Sequence, residues 1–525
     1  MNFNLALPFY KNATRNPGRL ALSVDKRDFS YGELLAVVEG VATWLRERSA
    51  GDVHRVGILA SRSFEAYAGI LGTSWAGAAY VPLNPDWPAA RLIQVLEATE
   101  LDALIVDDRG LKLLSNQVLA AGPRHILASN GQGYLSSFCP PGSALLVRGF
   151  DALIRSDQHH LPKDLNEDDL AYIMFTSGTT GSPKGVMISV GNVHHFLAAM
   201  RDRFPFGEHD RISQTFDLTF DLSVFDMFMA WSSGAALQVV PRSQLMGPAR
   251  FIQERELTVW FSVPSTVAFM QKMKMLERGA FPSLRYSAFC GESLPLSSAE
   301  AWQNSAPNSI IDNLYGPTEA TVACLAQQYS ERPNVTKERG IIAIGKPFDG
   351  TQAGIIDSAN RFLKAGEKGE LALSGQQVSR GYFKDAQKTA ARFPAIGGSV
   401  WYLTGDLAYQ DDSGAFHHLG RVDNQVKVLG FRVELEDVEA NLRGICGTDL
   451  VAAIAWPIAD GSAQGIVAFI SGTNLSVSEL REGMKRRVPQ YMVPSQIRLV
   501  ERLPLSTSGK IDRKALTSLL SESGA

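Results

Sequence analysis

The chain has 525 residues, with 51 lysines and arginines against 54 aspartates and glutamates, which gives a formal net charge of -3 at pH 7. The 45% hydrophobic and 20% charged content is typical of a globular protein of several folding units, and the lack of a basic excess argues against a dedicated nucleic-acid-binding protein. No apolar run approaches about 18 residues and no basic start precedes an apolar core, so neither a membrane span nor a signal peptide is predicted, and we expect a cytoplasmic protein.

The first hundred residues alternate between helical and strand patterns. Tyr31–Arg48 carries apolar residues on one helical face, and the short apolar runs at 56–60 and 104–106 predict buried strands. The alternation resumes after residue 236, with strands predicted at 237–240, 257–261, 285–289 and 309–314. This pattern predicts an α/β domain with mostly parallel sheets and helices, and a site at the carboxyl ends of the strands.

A loop of small and hydroxyl residues, T-S-G-T-T-G-S-P-K-G at 176–185, is the strongest local signal. It follows a predicted buried strand at 170–175 and precedes a helical pattern that begins near Ser189 or Asn192. A strand, a glycine-rich loop and a helix in that order predict a polyphosphate-binding loop. A flexible linker rich in serine, threonine and glycine is the alternative.

This loop is not a Walker loop. Pro183 rather than glycine precedes Lys184, and no serine or threonine follows the lysine to hold magnesium. The sequence therefore argues against a P-loop NTPase.

After Gly345 the apolar segments of the sequence become shorter and glycine becomes more frequent. We predict a domain boundary within 420–423, with a large N-terminal domain at 1–422 and a small, mobile α+β domain at 423–525. In the small domain, strands are predicted at 451–458 and 466–470, and a capping box at Ser476 predicts the start of a helix.

Further polar stretches follow predicted strands: F-D-L-S at 220–223, N-L-Y-G-P-T-E at 313–319, Y-L-T-G-D at 402–406 and S-T-S-G-K-I-D at 506–512. Together with the loop at 176–185 and G-R-V-D-N-Q-V-K at 420–427, they resemble the ordered motifs of the adenylate-forming superfamily of acyl-CoA synthetases, luciferases and nonribosomal-peptide adenylation domains. The resemblance covers nearly the whole chain and favours the branch of stand-alone amino-acid adenylating enzymes. The chain is similar also to D-alanine:carrier-protein ligases.

The resemblance implies a reaction that uses ATP and Mg²⁺. An amino-acid carboxylate attacks the α-phosphate, pyrophosphate leaves, and the aminoacyl group passes to the phosphopantetheine thiol of a separate carrier protein. It assigns catalysis to Lys510, Glu319 and Thr318, with Glu319 also as the metal ligand. The residues that it assigns to ATP are Thr176, Ser177, Gly178, Thr179, Thr180, Gly181, Lys184, Gly291, Glu292, Ser293, Asn313, Tyr315, Gly316, Asp406 and Arg421.

Individual roles follow from the same resemblance. Tyr315 is expected to stack on adenine, Asp406 to accept hydrogen bonds from the ribose with Arg421 nearby, and Lys510 to reach the α-phosphate from the small domain. Asp423 is expected to act as the hinge. Structural alternatives stay open, because Glu319 also suits a helix N-terminus, Asp406 a turn, and Arg421 a protein surface.

Asp221 is the predicted partner of the substrate ammonium group, because a cation that enters an enclosed site needs a counter-charge. The other positions that match the family's specificity pocket are mostly apolar, which disfavours charged substrates, and Phe225 and Leu314 are expected to shorten the pocket. A small aliphatic amino acid such as proline or alanine is predicted, of either enantiomer. The predicted substrate residues are Asp221, Leu222, Phe225, Ser262, Ala288, Cys290, Leu314, Val322 and Ala323.

Three features fall outside the pattern. Leu429 stands where many relatives carry arginine, so the part that this loop plays in thiol transfer is open. The histidine pairs at 159–160, 194–195 and 417–418 lack a third suitably spaced ligand and are interpreted as core or surface residues. The four cysteines contain no C-x-x-C pair and predict neither disulfides nor a zinc site.

The acceptor is expected to be a separate carrier protein, because only a short tail follows Lys510. Coenzyme A is the alternative acceptor, which would make the protein an acyl-CoA ligase. A non-catalytic nucleotide-binding regulator is the alternative outside the enzymes, against which the presence of Lys184, Glu319, Asp406 and Lys510 argues. No nucleic-acid or membrane partner is expected.

Overall fold

The computed structural model describes residues 2–48, 53–129, 145–153, 160–176, 183–428, 430–459, 462–504 and 511–522. A seven-stranded and a nine-stranded sheet form the larger part of the fold. Neighbouring strands are parallel except at the sheet edges, and helices connect many of them, which confirms the predicted α/β architecture. Central strands such as Tyr286–Phe289 are buried along their whole length, as parallel strands covered on both faces must be.

The strands of the seven-stranded sheet, in spatial order, are Leu146–Gly149, His125–Ala128, Ala103–Val106, Arg55–Leu59, Ala79–Leu83, Leu170–Thr176 and Lys184–Ser189. Those of the nine-stranded sheet are Lys346–Pro347, Leu325–Gln328, Ile310–Tyr315, Tyr286–Phe289, Val259–Ser262, Arg211–Gln214, Ala236–Val239, Leu20–Val24 and Arg27–Ser30. The carboxyl ends of its central parallel strands meet at one edge, where a site is expected.

The segment after the predicted phosphate loop differs from the predicted arrangement. Lys184–Ser189 is a strand, antiparallel to Leu170–Thr176 with Lys184 opposite Thr176, and the helix begins only at Val190. The helix therefore begins where its capping signal predicts, but the strand between the loop and the helix was not predicted. The short apolar run of Val186, Met187 and Ile188 favours a strand that pairs with the sheet edge. Loop residues 177–182 lie outside the described residues.

Smaller antiparallel sheets follow. A four-stranded sheet contains Thr351–Ile356, Gly369–Gly375, Tyr402–Gln410 and Phe416–Arg421, and two-stranded sheets pair Val335–Thr336 with Ile341–Ile342 and Ala395–Ile396 with Ser399–Val400. The C-terminal part has a four-stranded sheet of Phe431–Glu434, Gln425–Val428, Ser462–Ala463 and Ile458–Ala459, and a three-stranded sheet of Val451–Ala455, Ile466–Ile470 and Gln496–Leu499.

Helix starts agree with the capping signals in the sequence. Ser189 caps the helix Val190–Arg203 and Ser476 caps Val477–Lys485, each in a capping box. The other α-helices of the described residues are Ala6–Arg15, Tyr31–Arg48, Phe64–Ala76, Ala89–Thr99, Asp108–Leu111, Asn116–Ala121, Leu222–Ser233, Ala249–Glu254, Pro264–Lys272, Leu296–Ser305, Ala386–Arg392, Leu435–Cys446 and Arg513–Glu522. Short 3₁₀ helices cover Phe150–Ala152, Arg242–Gln244, Thr318–Ala320 and Gln490–Met492.

The apolar core divides near residue 420. Among the described residues, the buried clusters before this point end at Phe416, whereas those after it begin at Val428 and share no member with the first group. The predicted division into 1–422 and 423–525 falls in the interval between them. The exact boundary and the mobility of the small domain stay predictions.

Candidate active site

A cavity of about 260 Å³ lies where the carboxyl ends of the parallel strands face the C-terminal part of the chain. The strands Tyr286–Phe289 and Ile310–Tyr315 lead directly into its wall, and the strand Gln425–Val428 of the C-terminal part also contributes residues to the lining. The predicted site residues that line it are Asp221, Leu222, Cys290, Gly291, Glu292, Ser293, Asn313, Leu314, Tyr315, Gly316, Thr318, Asp406 and Arg421.

Asn313 offers an unused hydrogen-bond acceptor in this cavity. Its side-chain nitrogen donates to the carbonyl oxygens of Ala343 at 2.8 Å and Ile342 at 3.3 Å. Its Oδ1 atom is buried and has no hydrogen-bond partner within the described part of the chain. A buried acceptor without a donor costs free energy, so this oxygen fits a ligand N–H group such as the amino group of adenine.

Asp406 is held by three donors. It accepts a hydrogen bond from Arg421 Nη1 at 2.9 Å, lies 3.3 Å from His418 Nε2, and accepts another from the Tyr315 hydroxyl. Burial alone would raise the pKa of Asp406, but the hydrogen bond from His418 and the charge of Arg421 hold it well below its usual value. A fixed carboxylate of this kind suits ribose hydroxyls. His418 was missed as a site residue, although its place just before G-R-V-D was a signal.

Asp221 precedes the helix Leu222–Ser233, yet its side chain does not cap that helix. Its Oδ2 atom instead accepts a hydrogen bond from the backbone N–H of Val322 at 3.1 Å. Thr321 and Val322 both have left-handed backbones, with φ of 57° and 67°, a strained conformation for β-branched residues that directs this N–H. Burial raises the pKa of Asp221 to about 6. The arrangement fits a cationic ligand that completes the carboxylate's contacts.

Two glycines allow the cavity walls to approach each other. A Cβ atom at Gly316 would lie 2.5 Å from the Cα atom of Ala323, closer than any side chain permits. Gly291 has a left-handed backbone with φ of 88° and lies against Leu222 and Val263. Substituting either residue would distort the cavity wall beside Asp221.

A buried ion-pair network lies beside the cavity. Glu319 is fully buried and pairs with Arg432 at 2.7 Å and with Lys184 at 3.5 Å, and Lys184 Nζ lies 3.6 Å from Glu434 Oε1. Burial would raise the pKa of Glu319, but Arg432 and Lys184 more than offset it and hold the pKa well below its usual value. Burial also lowers the pKa of Lys184 to about 8. The Glu319 carboxyl is thus held in its ionised form.

This network joins the two parts of the chain. Arg432 and Glu434 belong to the strand Phe431–Glu434 of the C-terminal part, whereas Glu319 and Lys184 precede residue 420. Arg432 was missed by sequence reasoning. Its position five residues beyond Lys427, next to the recognised G-R-V-D-N-Q-V-K stretch, was the available signal.

Two other predicted residues, Thr176 and Asp423, do not line the first cavity. Thr176 ends a strand, and its buried hydroxyl has no hydrogen-bond partner among the residues described. Asp423 pairs with Arg421 at 2.7 Å through both carboxylate oxygens. The predicted residues outside the described ranges are Ser177, Gly178, Thr179, Thr180, Gly181 and Lys510, together with the departure at Leu429.

The predicted substrate residues that do not line the first cavity fall into two groups. Phe225, Ala288, Val322 and Ala323 are buried in the core and line neither cavity. Ser262 instead lines a second cavity. Because successive residues of a strand point to opposite faces, its neighbour Phe261 points the other way and faces Phe225, with ring centroids 4.7 Å apart. Sequence reasoning did not single out Phe261.

The second cavity, of about 280 Å³, adjoins the first. Both are lined by Phe220, Leu222 and Gly430. Arg109 and Arg242 line the second cavity and each pair with Asp86 at 2.5 Å. A ligand in the second cavity would therefore approach one in the first through the shared residues.

The histidine pairs form no metal site in the described ranges, where no cluster of three or more metal-binding side chains occurs. His417 is buried, with its ring nitrogens near Thr336 and Asp411, which agrees with its interpretation as a core residue. None of the described helices is long and apolar enough to span a bilayer.

Comparison with known proteins identifies the family. The model of the AMP-binding enzyme family matches residues 9–383. The chain is 32% identical over 526 residues to Delta-poly-L-ornithine synthetase of Acinetobacter baumannii, covering 98% of this chain and 36% of that protein. It is 32% identical over 519 residues to Tyrocidine synthase 3 of Brevibacillus parabrevis, covering 97% of this chain and 7% of that protein. The chain thus spans only a minor part of both relatives.

Among solved structures, the fold is similar to the Vibrio cholerae adenylation domain AlmE in complex with glycyl-adenosine-5'-phosphate, with a TM-score of 0.90 and 31% identity over 99% of this chain and 98% of that one. The agreement extends over both the parallel sheets and the C-terminal part. With the ordered motifs and the cavity that they surround, these matches show that the chain belongs to the AMP-binding enzyme family of the adenylate-forming superfamily.

Proposed function

We propose that the protein uses ATP to activate a small amino acid as an aminoacyl-AMP and then transfers the aminoacyl group to the phosphopantetheine thiol of a separate carrier protein. In the first step a carboxylate oxygen bonds to the α-phosphorus while the bond to the β-phosphate breaks and pyrophosphate leaves. In the second step the thiol sulfur bonds to the carbonyl carbon, AMP leaves, and the thiol proton is released. The observation that carries the proposal is the buried Asp221 carboxylate in the wall of the cavity that also contains Asn313 and Asp406.

Asp221 supports an amino acid as the substrate. A buried carboxylate with a single backbone donor is stabilised by the ammonium group of an amino acid, whereas a fatty or aryl acid would leave it without a cation. The small aliphatic class, proline- or alanine-like, is supported by the buried residues beside Asp221. The similarity to AlmE, whose structure contains a glycyl-adenylate, also supports a small substrate.

The residues around the cavity fit ATP and Mg²⁺. Asn313 Oδ1, which has no hydrogen-bond partner among the described residues, would accept from the amino group of adenine. The Asp406 carboxylate, held by Arg421, would accept from the ribose hydroxyls. Thr176 and Lys184 would contact the leaving phosphates. Glu319 would hold Mg²⁺ together with phosphate oxygens, since Mg²⁺ commonly uses one or two carboxylates beside substrate phosphates. When bound, the metal neutralises charge that develops on the leaving group.

The ion pairs of Arg432 and Glu434 support alternation between two domain arrangements. Arg432 pairs with the proposed metal ligand Glu319, and Glu434 pairs with the proposed phosphate ligand Lys184. A bound triphosphate and its metal would compete for both partners. We propose that the small domain withdraws these residues during adenylation and docks as observed during transfer.

Glu434→Gln is expected to slow transfer from preformed aminoacyl-AMP about three- to tenfold and leave adenylation close to wild type. The change keeps the side-chain shape but removes the charge that holds Lys184 in the docked arrangement. Because the two charged atoms are 3.6 Å apart, the pair stabilises this arrangement less than a short charged hydrogen bond would. Single-turnover loading of carrier protein measures the effect. Glu436→Gln, which removes a charge bonded to Asn424 on the same segment, is the control. Equal slowing of both half-reactions would contradict the proposal.

The second cavity supports a separate path for the acceptor. It reaches Leu222 and Gly430, which also line the first cavity, so a thiol on a long arm could reach the adenylate there. The first cavity would remain filled by the nucleotide. This layout suits phosphopantetheine on a carrier protein and leaves coenzyme A as the alternative acceptor.

ATP–pyrophosphate exchange over a panel of amino acids tests the proposal. Glycine, both alanine enantiomers, proline and larger aliphatic amino acids are compared, followed by loading of a phosphopantetheinylated carrier and of coenzyme A. We expect exchange with a small amino acid and transfer to a carrier. ATP binding without exchange for any amino acid would instead support the regulator, and transfer to coenzyme A alone would support the ligase.

A further inference from the structure

We infer that Arg339 and His418 orient the Asp406 carboxylate, and that the protein thereby selects its nucleotide by the ribose hydroxyls. The inference rests on the proposed ATP-dependent activation and adds two positioning residues to it. All three side chains line the first cavity. Arg339 Nη1 lies 2.7 Å from His418 Nδ1, and His418 Nε2 lies 3.3 Å from Asp406 Oδ1. The imidazole ring therefore connects a cation to an anion.

The two partners of His418 fix which ring nitrogen carries the proton. The Arg339 side chain only donates hydrogen bonds, so His418 Nδ1 accepts. The ionised Asp406 carboxylate only accepts, so His418 Nε2 donates. The ring is therefore neutral, and its one N–H group points at Asp406. Arg339 stabilises this form, because the partner of one ring nitrogen sets the state of the other.

The fold holds Arg339 against the strand that carries His418. Arg339 lies in the turn that follows the strand Val335–Thr336, and its backbone N–H donates to the carbonyl oxygen of Thr336 at 3.1 Å. The Thr336 hydroxyl lies 3.0 Å from Nδ1 of His417, the neighbour of His418. Two adjacent side-chain contacts therefore fix this turn against the strand.

His418 is a donor to Asp406 that does not involve the proposed hinge. Arg421 also donates to Asp406, but the same guanidinium is bound to both carboxylate oxygens of Asp423 at 2.7 Å. A rotation at Asp423 would therefore act on the contact between Arg421 and Asp406. Arg339 and His418 both precede the hinge, so the proposed rotation leaves them in place. The Asp406 carboxylate thus keeps one fixed donor in both half-reactions.

A carboxylate in a fixed orientation discriminates between nucleotides by their hydroxyl groups. A ribose hydroxyl donates to Asp406, whereas a deoxynucleotide leaves this buried, charged acceptor without that donor. Because Arg339 and His418 already hold the carboxylate, it loses little freedom when the hydroxyl binds, and the hydrogen bond contributes more to binding. Removal of the donor on His418 is therefore expected to weaken the discrimination.

Pyrophosphate exchange with ATP, 2'-deoxy-ATP and 3'-deoxy-ATP measures this discrimination as a ratio of kcat/KM values. For the wild type, we expect ATP to exceed at least one deoxynucleotide about ten- to hundredfold. His418→Phe keeps an aromatic ring beside Tyr315 but removes both nitrogens. It is expected to lower the ratio about fivefold or more, mainly through a higher KM for ATP.

Two further variants separate positioning from packing. His418→Gln replaces the ring but keeps a donor for Asp406 and an acceptor for Arg339, so we expect it to retain most of the discrimination. A ring that only filled space would give the opposite order, with Phe tolerated and Gln not. Arg339→Met is expected to lower the ratio as well, and to add little in combination with His418→Phe, because both act through the same carboxylate.

His417→Phe is the matched control. His417 lies on the same strand, but its ring stacks on Tyr409 and lines neither cavity. Equal use of the three nucleotides by the wild type, an unchanged or higher ratio in His418→Phe, or the same fall in His417→Phe would overturn the inference and leave the proposed activation standing. No exchange by the wild type with any amino acid would overturn both.

Discussion

Lys510→Ala is expected to slow adenylate formation about 10²- to 10³-fold, because it removes a cation aimed at the transition-state phosphate. Transfer is expected to be spared. Among the described residues that flank this segment, Pro504 accepts a hydrogen bond from the backbone N–H of Asp512, and Ile511 packs with the C-terminal cluster. None of these three residues lines either of the two cavities. Arg432 and Gly430 line the first cavity instead.

The measurement separates the two half-reactions. Adenylation is followed by pyrophosphate release, and transfer is started from preformed aminoacyl-AMP and a phosphopantetheinylated carrier. Lys510→Ala is expected to load the carrier at close to the wild-type rate. The same loss in both half-reactions would refute alternation for this protein.

A variant at the proposed hinge is expected to affect the two half-reactions in the reverse order from Lys510→Ala. Asp423→Pro fixes φ at the hinge and is expected to slow transfer more than adenylation. Asp423 also pairs with Arg421, so Asp423→Ala is the control that removes the carboxylate without stiffening the backbone. Transfer slowed as much in Asp423→Ala as in Asp423→Pro would assign the effect to the ion pair.

The second large effect is expected at the proposed ammonium site. Asp221→Asn and Asp221→Ala should lower kcat/KM for the amino acid about ten- to hundredfold, since a charged hydrogen bond to a desolvated group is worth about 1.5 to 3 kcal/mol. ATP binding should change little, because Asn313 and Asp406 contact the proposed nucleotide site independently of Asp221. Normal amino-acid activation in either variant would show that Asp221 does not bind the ammonium group.

The pH dependence gives an independent test of the same residue. Burial raises the pKa of Asp221 to about 6, so the carboxyl is ionised above this pH and neutral below it. Only the ionised form can pair with an ammonium group. The kcat/KM for the amino acid at saturating ATP should therefore fall as the pH is lowered through about 6. Asp221→Asn should lack this fall, and a wild-type profile that stays flat through this range would contradict the assignment.

Much of the fold could be predicted because its patterns are local. Buried central strands such as Ile466–Ile470 are continuous apolar runs, and caps such as Ser476 are recognised from the residues next to them. The strand Lys184–Ser189 was missed because its stability depends on a partner strand, Leu170–Thr176, across a loop. A short apolar run does not reveal by itself whether such a partner is available.

Within the candidate site, the motifs that carry Asp221, Asn313, Tyr315 and Asp406 could be identified from the sequence, because motif order and spacing are properties of the chain. The fold sets which neighbouring side chains face them. It turned Phe261 rather than Ser262 toward Phe225, since strand alternation depends on register. It also paired Arg432 with Glu319, 113 residues apart, a contact that depends on how two separately packed parts of the chain meet.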